Sequence, residues 1–361
     1  MKTKDFYFDL PAKLIAQHPS GERGNDRLMV VDRLSKKIEH CLMNDIFSFI
    51  EKNSLIVFNN SRVRKARLYA EDCRTGAKTE FLLLKDEGKM AHNASAASGI
   101  RWQVMMKKAR RFAQGSRFRF EGNRQAETAD TVSNKGTFRT LQFDKPIDDE
   151  WLDKWGHIPL PPYIKRADEM EDAERYQTVY AKETGSAAAP TAGLHWTDEL
   201  LFRAKECVRD TAFITLHVGA GTFFPVRTEN VEDHLMHEEE FFIKDDEAKK
   251  IESAKQEGRK IVVCGTTTAR CLESAWLPDN TLRRGVNWTS IFIHGDYKFK
   301  AADALFTNFH TPESTLLMLV SSFAGVFEGE KEGRKLILEC YAQAINAGYK
   351  FFSYGDAMLI I

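Results

Sequence analysis

Four stretches of the sequence place imidazoles and hydroxyls beside small residues, next to apparent strands or helices. The first, Gly185 to Thr197 (GSAAAPTAGLHWT), sets nine small or turn-forming residues ahead of Leu194 and His195. Pro190 and Gly193 interrupt any helical pattern there, and a surface linker would not end in Leu-His-Trp. It reads as a loop whose small side chains let a ligand approach the backbone, with His195 facing it. The second, Thr215 to Phe223 (TLHVGAGTF), carries His217 two residues before Gly219, and Gly221 follows. These glycines permit positive φ and close approach. The stretch is not a dinucleotide fingerprint, because a third glycine is missing and Pro225 blocks the helix that should follow.

The third stretch is His234-Leu-Met-His-Glu-Glu-Glu-Phe241. On a helix, His234 and His237 would share a face. A metal site would need a third ligand and a supporting shell that the spacing does not supply. Acid–base or hydrogen-bonding work fits better, with a solvated surface as the alternative. The fourth, Gly265 to Glu273 (GTTTARCLE), follows a strand ending at Cys264. Thr266 and Thr267 at a helix start can cap it or hold a ligand, with Arg270 one turn later. The competing reading is capping plus an Arg270–Glu273 ion pair. Asn308, His310, Tyr354 and Asp356 lie beside apolar runs near the C-terminal end. Each alone suits a cap or turn. Taken with the four stretches, they form a candidate substrate-binding set. Imidazole changes charge near neutral pH, so the chemistry to expect is proton transfer.

Basic residues gather elsewhere. Lys107, Lys108, Arg110 and Arg111, then Arg117-Phe-Arg-Phe120, interleave charge with aromatic rings. Arg62, Arg64, Lys65 and Arg67 precede them, and Lys165 and Arg166 follow. Such a surface can hold phosphates and stack bases, or be the solvated faces of strands.

Several elements must position these groups. Leu28–Val31, Leu55–Phe58, Ala212–Leu216, Lys260–Cys264, Ser290–Ile293 and Ala357–Ile361 read as short strands. Helical patterns cover 44–50, 197–205 and 314–320, with Thr197 as an N-cap. Ligands tend to bind at the carboxyl ends of strands in such layered α/β folds. Between 64 and 150 the texture changes to short alternating segments broken by glycines, which suggests a small barrel or sandwich. Residues 90–99 read as a long mobile hairpin loop. The expected organisation is a large layered α/β domain (1–63 and 151–361) with a small inserted β-barrel domain (64–150).

Bulk properties limit the function. The chain has 361 residues and 52 basic against 52 acidic side chains, so no global field draws it to nucleic acid. The six cysteines form no Cys-x-x-Cys pair and fit a reducing, cytoplasmic setting. The charged opening MKTKDFYFDL is not a signal peptide. No run approaches the ~20 apolar residues of a membrane span.

The strings FDLP (8–11), LIAQ (14–17), VFNNSRV (57–63), PLPPYI (159–164), ERYQTVY (174–180), APTAGLH (189–195), LHVGAGTF (216–223), DALFTNFH (303–310) and FSYGDAML (352–359) run in order through nearly the whole chain. Together they resemble the S-adenosylmethionine:tRNA ribosyltransferase-isomerase family. Thr311, Glu313, Gly295-Asp296 and Lys65 depart from its usual pattern, and Glu313 bears on any phosphate contact there. The resemblance implies an α/β domain with an inserted barrel, and a cytoplasmic enzyme of queuosine biosynthesis. It implies transfer and isomerisation of the ribosyl group of S-adenosylmethionine onto a 7-aminomethyl-7-deazaguanine wobble base, giving epoxyqueuosine, adenine and methionine. The donor is consumed, and neither cofactor nor metal is implied. The partner is a tRNA anticodon stem-loop, without a membrane or an obligate protein partner.

On that reading His195 and His217 flank the sugar as base and acid, in either assignment, and Glu239 orients one of them or faces the sulfonium. Gly219, Gly221, Thr266, Thr267, Arg270, Asn308, His310, Tyr354 and Asp356 bind substrate. Arg62, Arg67, Lys107, Lys108, Arg110, Arg111, Lys165 and Arg166 contact tRNA. A methyltransferase using the same donor and a non-catalytic RNA-binding module are the alternatives. The first would release S-adenosylhomocysteine instead of adenine, and the second would not need the histidine loops.

Overall fold

The computed structural model describes residues 1–90, 98–129, 138–219 and 226–361. Gly221 and most of the loop expected at 90–99 lie outside them. At the centre is the strand Leu55–Asn59 (LIVFN), buried along its whole length. A strand covered on both faces reads as a continuous apolar run, and this one does. It pairs in parallel with Asp210–Leu216 on one side and Ile261–Cys264 on the other. Ala304–Asn308 continues the parallel set. Ala357–Ile360 then runs antiparallel to Ala304–Asn308 and parallel to Arg27–Val31. With Ile38–Leu42 at one edge and Glu239–Ile243 and Gly285–Thr289 at the other, the described residues form a nine-stranded mixed sheet.

Helices cover both faces. Asp245–Gln256, Thr266–Ala275, Thr315–Ala324 and Glu330–Asn346 bury their apolar stripes in one core cluster. Asp198–Cys207 packs with Trp196, Phe58 and Phe306 in the other. Thr197 caps that helix as expected, its Oγ1 accepting the Leu200 N–H at 3.1 Å.

The alternating segments close into a barrel of Phe138–Phe143, Arg101–Met106, Lys78–Asp86, Arg67–Asp72, Arg117–Phe120 and Arg124–Thr128. Phe81, Phe118, Leu141 and Val104 fill it. The cluster continues into Ile147, Trp151 and Leu152, so the helix Asp149–Trp155 packs on the barrel. Ser61–Val63, which leads into the barrel, pairs with Glu183–Ser186 on the way back.

Three local expectations change. The segment 44–50 is a 3-10 helix, Met43–Ser48. The strand expected at 290–293 lies earlier, at Gly285–Thr289. Thr289 Oγ1 takes the Ile291 N–H there, which diverts the chain from the ladder. His234 and His237 are not on a helix. The 3-10 turn Val231–Asp233 is followed by extended chain at His234, which leads into the strand at Glu239.

Candidate functional site

A cavity of about 320 Å³ opens beyond the carboxyl ends of the central strands. This is where an open α/β sheet leaves room for a ligand. One wall is the chain turning out of Ile261–Cys264. Gly265 sits there at φ +95°, and the helix Thr266–Ala275 starts with no side-chain cap. Its first-turn N–H groups therefore face the cavity end of the helix without a capping partner, the arrangement that favours negative or polar ligand groups. Thr268 turns its hydroxyl back onto the Cys264 carbonyl at 2.6 Å. Asn59 ties the neighbouring strand ends together: its Oδ1 accepts the Leu216 N–H and its Nδ2 donates to the Leu216 carbonyl, both at 3.0 Å.

At the base of the cavity Glu239 and Arg270 form a buried ion pair. Glu239 Oε1 also accepts the Gly219 N–H at 3.0 Å. Arg270 Nη2 has no partner among the described residues. Arg270 thus pairs from its helix with Glu239 of the sheet, and not with Glu273. Glu273 binds the N–H groups of Lys300, Ala301 and Ala302 instead.

A second wall comes from Ala304–Asn308 and the turn after it. His310 is buried, and burial pulls its imidazole down to about 3. Its Nε2 lies 2.9 Å from Thr307 Oγ1, and its backbone N–H donates to the Tyr341 hydroxyl at 2.8 Å. Asn308 and Thr191 both line the cavity, and Asn308 accepts the Thr191 hydroxyl at 2.9 Å. His234 and His237 also line the cavity. Burial, and then the neighbouring His237, lower His234 from its ordinary value. Tyr163 and Ser353, with hydroxyls 2.6 Å apart, close one end.

The small residues of 185–193 have separate tasks. Ala188, Ala189 and Ala192 line the cavity. Ser186 accepts the Val218 N–H and donates to the Ala188 carbonyl, which aligns 186–188 with 217–219. Gly185 makes room for the His217 ring, and Gly193 for Tyr180.

Of the residues expected to bind or react, Glu239, Thr266, Thr267, Arg270, Asn308 and His310 meet around this cavity, and Gly219 supports Glu239 from behind. His195 lies one layer back, 2% exposed. Its Nδ1 is 2.7 Å from Asp26 Oδ2 and its Nε2 is 2.8 Å from Asn308 Nδ2. Burial opposes the Asp26 charge, but His195 and Ser20 outweigh it and hold the carboxyl below its usual value. His217 does not line the cavity. Its ring lies against Gly185 with Nδ1 unpartnered, and burial, reinforced by Arg64, pulls it down to about 4. Tyr354 donates to Asp172 at 2.7 Å, and Asp356 accepts the Arg27 and Lys350 N–H groups. Both are tied into the scaffold beside His195. Sequence reasoning passed over Thr191, Ser353 and Asp26. Thr191 stood inside the quoted loop, and its nearness to His195 was the available signal.

The basic residues divide similarly. Lys108, Arg110 and Arg111 are exposed on an open groove of the barrel. Lys107 lies there too, 2.7 Å from Glu80. Arg62 and Lys165 are exposed. Arg67 pairs with Glu80 and donates to the Leu160 carbonyl. Arg166 grips Asp172 with two bonds of 2.6 and 2.8 Å. Among the described residues no helix is long and apolar enough to cross a membrane.

Comparison with known proteins agrees with this architecture. The queuosine biosynthesis protein family matches residues 3–360. The S-adenosylmethionine:tRNA ribosyltransferase-isomerase of Treponema denticola is 50% identical, over 100% of both chains. Those of Clostridioides difficile and Acetivibrio thermocellus are 44% and 46% identical, also over 100% of each chain. The crystal structure of S-adenosylmethionine tRNA ribosyltransferase from Thermotoga maritima superimposes with a TM-score of 0.52 at 30% identity, covering 99% of this chain and 100% of that one. The chain belongs to the queuosine biosynthesis protein family, the family of the S-adenosylmethionine:tRNA ribosyltransferase-isomerases that its motifs resemble.

Proposed function

We propose that this chain is an S-adenosylmethionine:tRNA ribosyltransferase-isomerase acting in the cytoplasm. It moves the ribosyl group of S-adenosylmethionine onto the 7-aminomethyl-7-deazaguanine wobble base of a tRNA, isomerises it to epoxyqueuosine, and releases adenine and methionine. S-adenosylmethionine is consumed as a donor, with no metal or cofactor invoked. One observation carries the reading. Motif strings far apart in sequence, among them 159–164, 189–195, 303–310 and 352–359, put residues around a single cavity of nucleoside size.

The chemistry follows from the donor. Its sulfonium acidifies the adjacent ribose carbon, so a neutral base can remove that proton. Elimination then opens the sugar and expels adenine, whose leaving nitrogen takes up a proton. The aminomethyl group attacks, and epoxide closure releases methionine. His234 and His310 present neutral imidazoles at the cavity. Glu239 offers the carboxylate side of an ion pair to the sulfonium end, and Thr266, Thr267 and Arg270 offer donors to the carboxylate or hydroxyls. His195 contributes from behind the lining, through Asn308, and His217 stands further off, against Gly185. Because neither ring lines the cavity, replacing either with alanine is expected to lower turnover by less than the ~100-fold that losing a direct proton-transfer group costs, and to leave tRNA binding nearly intact.

Lys108, Arg110 and Arg111, with Lys107, Arg62 and Lys165, are the surface offered to the anticodon stem-loop. The reading is tested by measuring free adenine when protein, S-adenosylmethionine and tRNA carrying the precursor base are combined. Adenine release that depends on all three supports it. S-adenosylhomocysteine in its place would identify a methyltransferase.

A further inference from the structure

We infer that Thr191 is the specificity-determining hydrogen-bond acceptor of the cavity, oriented by a one-way chain that starts at Asp26. The inference rests on the reading of S-adenosylmethionine as substrate. It identifies the ligand group that Thr191 takes as a nucleoside donor, a ribose O–H or the adenine N–H.

The direction of the chain is fixed at its middle. Asn308 Nδ2 lies 3.3 Å from the Phe352 carbonyl oxygen, which can only accept. The amide nitrogen is therefore on that side, and its second hydrogen points at His195 Nε2, 2.8 Å away. His195 Nε2 must accept, so the ring proton sits on Nδ1 and is donated to the Asp26 carboxylate at 2.7 Å. On the other side of the amide, Asn308 Oδ1 can only accept, and it takes the Thr191 hydroxyl hydrogen at 2.9 Å. With its one hydrogen committed, the Thr191 oxygen has only lone pairs left for the cavity that it lines. Asp26, His195 and Asn308 are all buried, whereas Thr191 is partly exposed to the cavity. The chain thus carries a fixed polarity from a buried carboxylate to an accessible oxygen. His195 is on this account a positioning residue.

An acceptor of fixed polarity discriminates. It favours a ligand that brings a donor and leaves a ligand lacking that donor without a partner. The test is calorimetric binding of S-adenosylmethionine to the full-length protein, alone and saturated with tRNA that carries unmodified guanine at the wobble position and so cannot accept the ribosyl group. It compares wild type, Thr191→Val, which keeps the shape and loses the oxygen, and Thr191→Ser, which keeps the oxygen. The 2′-deoxy, 3′-deoxy and N6,N6-dimethyl analogues of the donor form the second axis and separate ribose from adenine. Thr191→Val is expected to weaken S-adenosylmethionine about tenfold, the loss that follows when a donor is left unpaired. Thr191→Ser should stay near wild type. One of the analogues should bind wild type and Thr191→Val equally, which names the donor. His195→Gln should lower discrimination against that same analogue and add little to Thr191→Val. Unchanged affinity in Thr191→Val, or equal weakening of S-adenosylmethionine and all three analogues, would overturn the inference. Wild-type protein that binds no S-adenosylmethionine either alone or with tRNA would overturn the donor reading, and this inference with it.

Discussion

Glu239 and Arg270 form a buried ion pair at the base of the cavity, joining the start of the strand Glu239–Ile243 to the first turns of the helix Thr266–Ala275. Their partners differ. Glu239 also holds the Gly219 N–H, whereas the other side-chain contact of Arg270 is a long bond of 3.4 Å to the Ile291 carbonyl. A carboxylate can neutralise itself by taking a proton, and a guanidinium cannot lose one. Glu239→Ala is therefore expected to cost about 3–5 kcal/mol, and Arg270→Met, which keeps the volume, clearly less. Urea unfolding of both variants checks the order. Equal costs, or the reverse order, would contradict this account of the pair.

Acid is expected to destabilise the protein well above the range where carboxylates titrate. His310 and His217 stand at about 3 and about 4 in the folded chain, below the ordinary 6.5. Between those values and 6.5 the unfolded chain binds protons that the folded one does not, so stability falls as pH falls. The slope is at most ~1.4 kcal/mol per pH unit for each group. Carboxyls held below 3.8, such as Asp26 and Asp172, add to the loss only further down. Unfolding followed from pH 7 to pH 4.5 should lose about one proton's worth of slope in His310→Gln. An unchanged slope would mean that this imidazole is already charged in the fold.

Gly193 should not tolerate a methyl group. A Cβ there would lie 2.2 Å from the Tyr180 hydroxyl and 2.6 Å from Thr178 Cγ2. Gly193→Ala is expected to cost about 1–3 kcal/mol through overpacking and to displace the His195 loop. Gly21 is the control, because a methyl group added there would meet nothing within 4 Å. Gly21→Ala should stay within about 0.5 kcal/mol of wild type. Thermal unfolding of the two proteins decides it.

Charge reversal should separate the tRNA-facing cations from the structural ones. Changing Lys108, Arg110 and Arg111 to glutamate is expected to raise the tRNA Michaelis constant. It should also flatten the slope of log affinity against log salt by roughly 0.7–0.9 for each phosphate that is no longer neutralised. Arg166→Glu is expected instead to lower stability, because Arg166 is bound to Asp172. An unchanged salt slope in the triple variant would move the RNA surface elsewhere.

Local pattern made much of the fold legible. The period-two alternation of Arg101–Met106 and Arg117–Phe120 announced the barrel, and the apolar run Leu55–Phe58 announced a strand buried on both faces. The pairing order was not legible, because strands such as Ala304–Asn308 and Ala357–Ile360 are brought together by long-range contacts. The cavity residues Thr266, Arg270, Asn308 and His310 could be found because polar groups next to apolar runs are conspicuous. The place of His195 could not. Its orientation depends on Asp26, 169 residues away, and no local spacing encodes that contact. Arg67 and Arg166 looked like surface cations for the same reason, their partners Glu80 and Asp172 being visible only in the fold.

The ribosyl-donor claim is tested most directly by carbon tracing. S-adenosylmethionine labelled in its ribose carbons is incubated with the full-length protein and tRNA carrying the precursor base, and the digested nucleosides are analysed by mass. The expected result is label in the modified wobble nucleoside, with one adenine and one methionine released for each label incorporated. Label that stays in S-adenosylhomocysteine, with a methyl group on the tRNA, would contradict it.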